Sequence, residues 1–293
     1  IPRFQAIDPF AADPLAGLEL EFPFWIKPVK AHSSFLGFRV HDADELAETL
    51  AITRERIGSI AGIFNGFLAH VDQPAEIAGI DGNHCIAEQI ISRGRQCTLE
   101  GYAFGGEIEV YGAVDSIRSG RHRSSFSRYQ YPSRLPRRVR ERMIAATRRV
   151  LHHIGYDNAA FNIEFYWNPR DDSIRLLEIN TRISKSHSPL FLLVDGASNQ
   201  QIPVELCLGR RPDFPVRAGD HRVAAKFMLR IHEDAVVERS PGEADIRALQ
   251  ARYPEARARV LAPAGTRLAH MTFQDSYSFE IAEIFLGADS RNE

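Results

Sequence analysis

Two apolar-rich runs around a short polar loop, within residues 159–182, constrain the fold more than any other stretch of the chain. The runs read AAFNIEFYW and IRLLEINTR, and the loop between them reads NPRDDS. Strand-forming residues on both sides of a cluster of turn formers predict a β-hairpin. Alternate side chains of a strand share a face. A turn centred near Asp171 therefore sets three pairs opposite each other: Glu164 and Glu178, Asn162 and Asn180, and Ile163 and Ile179. One face is then predicted to be core and the other acidic.

The acidic face is the first candidate site. Opposed carboxylates at Glu164 and Glu178 would destabilise strand pairing by roughly 0.2–1 kcal/mol, and a divalent cation between them would reverse that effect. Oxygen ligands suit Mg²⁺, whose remaining positions usually go to water and phosphate oxygens. Arg182, two residues beyond Asn180 on the same face, could hold the anion that the metal brings. The alternative is a solvated face with two ordinary glutamates, because the register is inferred from the turn alone.

Composition places the chain among globular proteins and excludes several other classes. Its 293 residues suggest about two domains, and 25% charged residues with a net charge of −2 argue against bulk attraction to nucleic acid or anionic membrane. No apolar run approaches the ~18 residues of a membrane span. Cys85, Cys97 and Cys207 lack metal-binding spacing, which favours reduced thiols in a cytoplasmic enzyme. Because the chain begins with Ile1 and not Met, we expect a longer gene product.

The first part of the chain offers a second candidate site. After a connecting segment over residues 1–21, residues 22–29 are predicted to form a strand that carries Lys27, followed by the loop AHSSFLG and a short strand ending at Val40. A lysine beside a hydroxyl-rich loop could cradle phosphate. The spacing of a Walker A loop is missing, however, and Lys27 alone is more typical of a surface lysine.

Further elements follow from local patterns. Asp42 and Glu45 form a capping box that predicts a helix over residues 42–57, and residues 58–87 are predicted to hold a short helix and irregular chain. Strands are predicted over residues 86–91, 98–104 and 107–114. From residue 221 onward, the segments AAKFMLRI, VVERS and ARVLA are predicted to form strands. Together with a helix over residues 244–252, they predict a small α+β unit.

A basic stretch over residues 118–149 contains eleven arginines and one acidic residue, Glu141. Most of these arginines fall on a helix predicted over residues 136–154, and we interpret them as a solvated helix face. A nucleic-acid patch is the alternative, but no nucleic-acid motif and little aromatic interleaving support it. The preceding loop, which includes Arg118 and Arg128, could instead contact an anionic substrate.

Four separated segments together resemble the ATP-grasp superfamily, particularly its carboxylate–amine (amino acid) ligase branch: FPFWIKPVKAHSS, AEQIISRGRQCTLEGYA, FNIEFYW and LLEINTR. Their order and spacing match over residues 22–290. The resemblance implies an α+β ATP-grasp fold with two α+β lobes, nucleotide bound between antiparallel sheets, and a small C-terminal α+β unit. It implies a connecting segment (residues 1–21) after a missing N-terminal domain, a small lobe (22–92), a large lobe with the Mg²⁺ site (93–215), and a C-terminal subdomain packed on the large lobe (216–293).

The resemblance also implies roles for individual residues. Lys27 would contact ATP phosphates, and Arg182 would stabilise the transferred phosphate or the reacting carboxylate. The Mg²⁺ ligands, which would accept Mn²⁺ as well, would be Glu164, Glu178 and Asn180. The remaining nucleotide residues would be Ser33 and Ser34 in the phosphate-covering loop, Glu88, Gln89, Ile90 and Ile91 in the adenine hinge, and Gln96 where relatives carry a ribose-binding glutamate. The sequence departs from the family pattern at His32, where glycine is usual, and in the segment ISKSHSP.

These roles imply an ATP- and Mg²⁺-dependent ligase that activates a carboxylate as an acyl phosphate and joins it to an amine, with amino-acid-like substrates. Family habit suggests a homodimer. The cysteines favour a cytoplasmic protein, and the net charge argues against a nucleic-acid or membrane partner. Two alternatives stay open. One is a degenerate nucleotide-binding protein without turnover, which the departures at Gln96 and His32 keep open, and the other is a carboxylase-like relative that uses another acceptor.

Overall fold

The computed structural model describes residues 1–31, 34–120 and 123–291. The chain divides into two compact units. The smaller unit is built from Ile1–Ile91, Gly120–Ser125 and Ala269–Phe279, and the larger unit from Ser92–Ser119, Phe126–Leu268 and Glu280–Glu293. The chain first passes from one unit to the other between Ile91 and Ser92, directly after the predicted hinge segment.

The smaller unit contains a four-stranded antiparallel sheet in the order β1–β4–β2–β3. The strands are β1 (Phe4–Ile7), β2 (Phe24–Pro28), β3 (Phe38–Val40) and β4 (Cys85–Gln89). The helices are α1 (Ala43–Arg56) and α2 (Gly58–Leu68), followed by a 3₁₀ turn (Ala75–Ile77). Strand β1 lies within the segment that the sequence predicts to be a connection. Four residues are too few for a recognisable alternation, and pairing with β4 fixes the strand.

Helix α1 begins where the capping residues predict. The Asp42 carboxylate accepts a hydrogen bond from the Glu45 backbone N–H at 2.9 Å, and the Glu45 carboxylate accepts one from the His41 backbone N–H at 2.9 Å. Glu45 thus reaches one residue further back than in the usual box. The apolar stripe of the helix, including Leu46 and Leu50, packs into the core formed with Phe24 and Ile26 of β2.

The larger unit contains an eight-stranded sheet in the order β11–β12–β10–β7–β6–β5–β8–β9. The strands are β5 (Arg95–Phe104), β6 (Glu107–Ser119), β7 (Ser125–Tyr131), β8 (Ala159–Asn168), β9 (Ser173–Asn180), β10 (Val223–Ile231), β11 (Arg257–Val260) and β12 (Phe279–Ala288). The helices are α3 (Arg137–His153), α4 (Ser188–Asp195), α5 (Gln201–Cys207) and α6 (Glu243–Arg252). The two sheets confirm the predicted α+β class, and the C-terminal strands continue the sheet that holds the hairpin.

Helix α3 supplies the core beneath the hairpin. Its buried residues Val139, Met143 and Leu151 belong to one apolar cluster with Ile163 and Phe165 of β8. The predicted helix is confirmed within a residue at each end. On the predicted apolar face of the hairpin, Ile163 is buried and Ile179 is partly buried against the same cluster.

Some elements differ from their predictions. Arg118 and Arg128 lie on strands and not in a loop. Arg118 belongs to β6, which runs five residues past its predicted end, and Arg128 belongs to β7, which was not predicted. The segment VVERS does not form a strand, and only Val236 makes an isolated bridge, with Arg267. Helix α4 has no counterpart in the prediction because its SPLFLLVD sequence is apolar on almost every side and lacks periodicity.

Among the described residues, no helix is long and apolar enough to cross a membrane. Cys85 and Cys97 are buried free thiols and Cys207 is an exposed one.

Candidate functional site

The hairpin of β8 and β9 carries the predicted acidic face in the predicted register. Glu164 lies opposite Glu178, and Asn162 lies opposite Asn180. The register shifts by one residue between Glu164 and Phe165, so that Phe165 faces Leu176. This β-bulge lies on the turn side of the acidic pairs. The residues that matter for the candidate site are therefore aligned as the sequence predicts.

Strand β5 extends this polar face across the sheet. Thr98 lies opposite Glu164, and Glu100 lies opposite Asn162. Directly opposed residues of an antiparallel pair present their side chains on the same face. The face therefore carries carboxylates and amides on three neighbouring strands.

Glu164 is held by a chain of polar side chains. Gln96 Nε2 donates a hydrogen bond to Glu164 Oε2 at 2.5 Å. The other amide atom, Gln96 Oε1, accepts from Arg118 Nε at 2.6 Å and from the Tyr166 hydroxyl at 2.9 Å. These contacts fix the orientation of the Glu164 carboxylate. They also place the buried Gln96 side chain beside the acidic pair, while its predicted ribose contact stays a prediction.

Burial, reinforced by the negative charge of Glu178, raises the pKa of Glu164 above its usual value, and the guanidinium of Arg118 opposes that shift. An unfavourable carboxylate environment of this kind becomes favourable when a cation binds, because the ion compensates both the burial and the repulsion.

Asn180 and Arg182 complete the predicted group. Asn180 Nδ2 donates to Asn162 Oδ1 at 3.1 Å, while Asn180 Oδ1 accepts from an Arg182 terminal nitrogen at 3.2 Å. The Arg182 side chain is exposed. The structure therefore brings Glu164, Glu178, Asn180 and Arg182 together at one end of the hairpin.

The donor set fits a hard divalent cation. Two carboxylates and an amide oxygen are the ligand types that Mg²⁺ prefers. Within the described parts of the chain, no group of three or more His, Cys, Asp or Glu side chains gathers in a way that could hold a metal. A metal at the hairpin would therefore rely on only two carboxylates from the protein, with Asn180 as a third oxygen donor.

The smaller unit carries the other predicted residues. Lys27 lies on β2, where its Nζ is 3.1 Å from Glu88 Oε2 on β4. The Lys27 side chain is about a quarter exposed, at 26%. Ser34 has a positive φ of 56° in a turn closed by a hydrogen bond from the Gly37 N–H to the Ser34 carbonyl at 3.1 Å. Ser33 and His32 lie outside the described residues.

The predicted hinge residues lie at the end of the smaller unit's sheet. Glu88 and Gln89 close β4, and Ile90 and Ile91 follow it. The Gln89 backbone N–H donates to the Arg3 carbonyl at 2.8 Å. The hinge segment therefore begins from a strand that is paired on both sides, with β1 and with β2.

The sequence does not single out several polar residues that form ion pairs or hydrogen bonds within the larger unit: Glu100, His187, Lys226, Arg230 and Glu280. Glu100 had a visible signal, because QCTLEG alternates polar and apolar residues and so places Gln96, Thr98 and Glu100 on one face. His187 and Lys226 had none, since their partners lie far away in the sequence.

A family model described as "Carbamoyl-phosphate synthase L chain, ATP binding domain" matches residues 115–197, which include the hairpin. A search among curated proteins by sequence found no match.

Solved structures match over nearly the whole chain. An L-amino acid ligase from Bacillus licheniformis has a TM-score of 0.72 at 17% identity, and the match covers 99% of this chain and 65% of that one. A carboxyaminoimidazole ribonucleotide synthase from Aspergillus clavatus, complexed with ATP, has a TM-score of 0.61 at 16% identity, covering 100% of this chain and 65% of that one.

The biotin carboxylase domain dimer of the 2-oxoglutarate carboxylase from Hydrogenobacter thermophilus, in complex with MgADP, ADP and bicarbonate, has a TM-score of 0.53 at 17% identity, covering 92% of this chain and 54% of that one. The chain thus spans 54–65% of the length of these three proteins. At such identities the likeness establishes the fold.

Proposed function

Because the chain has the ATP-grasp fold, we propose that it is an ATP- and Mg²⁺-dependent ligase that joins a carboxylate to an amine. The observation that carries the proposal is the opposition of Glu164 and Glu178, with Asn180 and Arg182 beside them. A fold used only as a scaffold would not need two mutually repelling carboxylates aligned on one face.

Glu164, Glu178 and Asn180 would hold Mg²⁺, and Mn²⁺ could replace it because it accepts the same oxygen ligands. A metal held by these residues would supply positive charge against the negative charge that develops on the transferred phosphoryl group. Gln96 would keep the Glu164 carboxylate in the orientation needed for that role, through the hydrogen bond at 2.5 Å.

Nucleotide contacts are proposed from the resemblance. Lys27 would contact the phosphates, and Ser33 and Ser34 would cover them. The backbone of residues 88–91 would meet adenine, and Gln96 would contact ribose. Among these, Lys27 has the clearest physical basis, since its side chain is partly exposed and its ammonium supplies a point charge.

The proposed reaction asks little covalent chemistry of the protein. A substrate carboxylate oxygen attacks the γ-phosphorus of ATP, the bond to the bridging oxygen breaks, and ADP leaves. The amine nitrogen of the second substrate then attacks the acyl carbon, inorganic phosphate leaves, and the nitrogen loses a proton. Arg182 and Lys27 would contribute by positioning these anions and stabilising charge on the transferred phosphoryl group.

Amino acids are the proposed substrate class, and the support for it is the structural likeness to the L-amino acid ligase from Bacillus licheniformis. A carboxylase-like reaction draws support from another of the structural matches, since a biotin carboxylase domain shares the fold. We propose a homodimer as the working assembly, by analogy with the biotin carboxylase domain dimer that shares the fold.

The test is a turnover assay of the full chain with Mg·ATP and amino acids, singly and in pairs, that measures phosphate, ADP and AMP. Phosphate and ADP that form only with particular pairs would support the acyl-phosphate ligase and identify its substrates together. AMP release would contradict the acyl-phosphate route. If ATP binds but neither the amino acids nor bicarbonate supports turnover, a nucleotide-binding protein without catalysis is favoured instead.

A further inference from the structure

The segment that follows Arg182 is held by two side chains from the sheet. We call residues 181–187 the Arg182 loop. Asn162 Nδ2 donates to the Arg182 carbonyl at 3.3 Å. Glu100 accepts hydrogen bonds from the Ser184 backbone N–H at 3.3 and 3.4 Å and lies 2.7 Å from His187 Nδ1. Because Glu100 and Asn162 are directly opposed on β5 and β8, one cross-strand pair holds both ends of the loop.

These groups are buried almost completely. Glu100 is 0% exposed, Asn162 2% and His187 3%. The Glu100 carboxylate also accepts a hydrogen bond from the Tyr111 hydroxyl at 3.3 Å, and the Tyr129 ring meets the His187 ring edge-on at 4.8 Å. A buried carboxylate is costly unless hydrogen bonds compensate it. Its contribution here is to fix a backbone position.

Asn162, one member of the cross-strand pair, also contacts a candidate metal ligand. Asn162 Oδ1 accepts from Asn180 Nδ2 at 3.1 Å, so a single amide joins a proposed metal ligand to the backbone of Arg182. The far end of the loop has another polar contact, from Lys226 Nζ to Ser186 Oγ at 3.3 Å, and Lys226 is paired with Glu283 at 2.6 Å. The loop is therefore attached at Arg182, Ser184, Ser186 and His187.

We propose that Glu100 and His187, with Asn162, are positioning residues that set where Arg182 stands relative to Glu164, Glu178 and Asn180. The inference rests on the proposed role of Arg182 in phosphoryl transfer. An exposed arginine on an untethered loop would sample many positions, and a displacement of about 1 Å can cost on the order of 100-fold in rate.

The test combines backbone hydrogen exchange with steady-state kinetics on the full chain. In Glu100→Ala, we expect the peptide that contains the Arg182 loop to exchange at least about 10-fold faster, because the Ser184 N–H loses its acceptor. We expect kcat to fall by about 10- to 100-fold while KM for Mg·ATP changes by less than about 3-fold. Glu100→Gln keeps an acceptor oxygen and should restore part of both properties.

Met143→Ala is the matched control, since Met143 is fully buried in the core cluster beneath the hairpin. It should lower Tm but leave loop exchange and kcat close to those of the parent. Unchanged exchange of the loop in Glu100→Ala would overturn the inference even if the parent chain proved inactive. A loosened loop with an unchanged kcat would overturn it as well. A parent chain that turns over no substrate would contradict the proposed function, and loop exchange would then decide the positioning role alone.

Discussion

Glu164 and Glu178 face each other across strands β8 and β9, and Glu164 is fixed in place by a hydrogen bond from Gln96 at 2.5 Å. The pair is held together by the sheet and not by mutual attraction. We propose that an ion attracted to both carboxylates compensates their repulsion.

Replacing Glu178 by glutamine should remove a proposed metal ligand while relieving the repulsion. We expect Mg·ATP turnover to fall by at least about 100-fold, since a bound metal supplies several kcal/mol of transition-state stabilisation. In the absence of Mg²⁺, Tm should stay the same or rise. Glu109→Gln, an exposed change in the same unit, is the control and should leave turnover unchanged. Parental turnover in Glu178→Gln would show that the metal assignment is wrong.

Replacing Lys27 by methionine should weaken Mg·ATP binding by about 10-fold or more, because a charge-assisted contact of about 1.5 kcal/mol or more is lost. Glu88→Gln is informative as its partner, since it removes the carboxylate 3.1 Å from Lys27 Nζ but keeps the hinge backbone. Binding to Glu88→Gln should stay within about 3-fold of the parent, as expected for a partly exposed ion pair. Calorimetry measures the Mg·ATP affinity of both variants. Equal losses of affinity in Lys27→Met and Glu88→Gln would point to a structural role for the ion pair.

The raised pKa of Glu164 predicts opposite pH trends with and without metal. Without Mg²⁺, the folded state holds the Glu164 proton more tightly than the unfolded state, whose pKa is about 4.3. The contribution of protonated Glu164 to folding stability is therefore complete below that pH and is lost as the pH rises through the pKa of the folded state. Mg²⁺ requires the ionised carboxylate, so the Tm increase caused by Mg²⁺ should grow over the same range. Thermal unfolding at several pH values measures both trends, and Glu164→Gln should reduce both. A Mg²⁺ effect that does not vary with pH would argue against Glu164 as a ligand.

Two glycine substitutions should change stability in opposite directions. A Cβ on Gly101 of β5 would lie 2.3 Å from the Glu109 carbonyl oxygen and 2.4 Å from Phe161 Cζ. Gly101→Ala should therefore lower the free energy of unfolding by about 1–3 kcal/mol. Gly62, within α2, has nothing within 4 Å of such a Cβ, so Gly62→Ala should raise the free energy of unfolding by about 0.5–1 kcal/mol. Urea unfolding measures both, and a neutral Gly101→Ala would indicate that β5 and β6 separate more easily than the structure implies.

The sequence predicts the hairpin and its acidic pairs because their signals are local. Turn formers and alternation placed the centre near Asp171, and the observed register matches on the site side of the bulge. The bulge itself, between Glu164 and Phe165, had no signal in the sequence. The extra residue shifts the pairing register by one on the turn side of the bulge, while the acidic pairs on the other side stay aligned.

The contacts that hold the Arg182 loop could not be predicted in the same way. Glu100 and His187 are separated by 87 residues in the chain, and nothing in either neighbourhood indicates the partner. The alternation in QCTLEG indicates only that Glu100 shares a face of the strand with Gln96 and Thr98. Pairing of this kind depends on the order of strands in the sheet, which places β5 beside β8.

The smaller unit draws on the last part of the chain as well as the first. Trp25 and Phe38 pack near the ring of Tyr277, with centroids at 6.3 and 6.4 Å, and the Tyr277 hydroxyl accepts a hydrogen bond from the Arg39 backbone N–H at 2.9 Å. Since ribosomes synthesise proteins from the N-terminus, these early residues must wait for Tyr277 to emerge before their packing is complete. Lys27, proposed here as a nucleotide contact, lies on the same sheet and would therefore reach its finished surroundings only after Tyr277 has been synthesised.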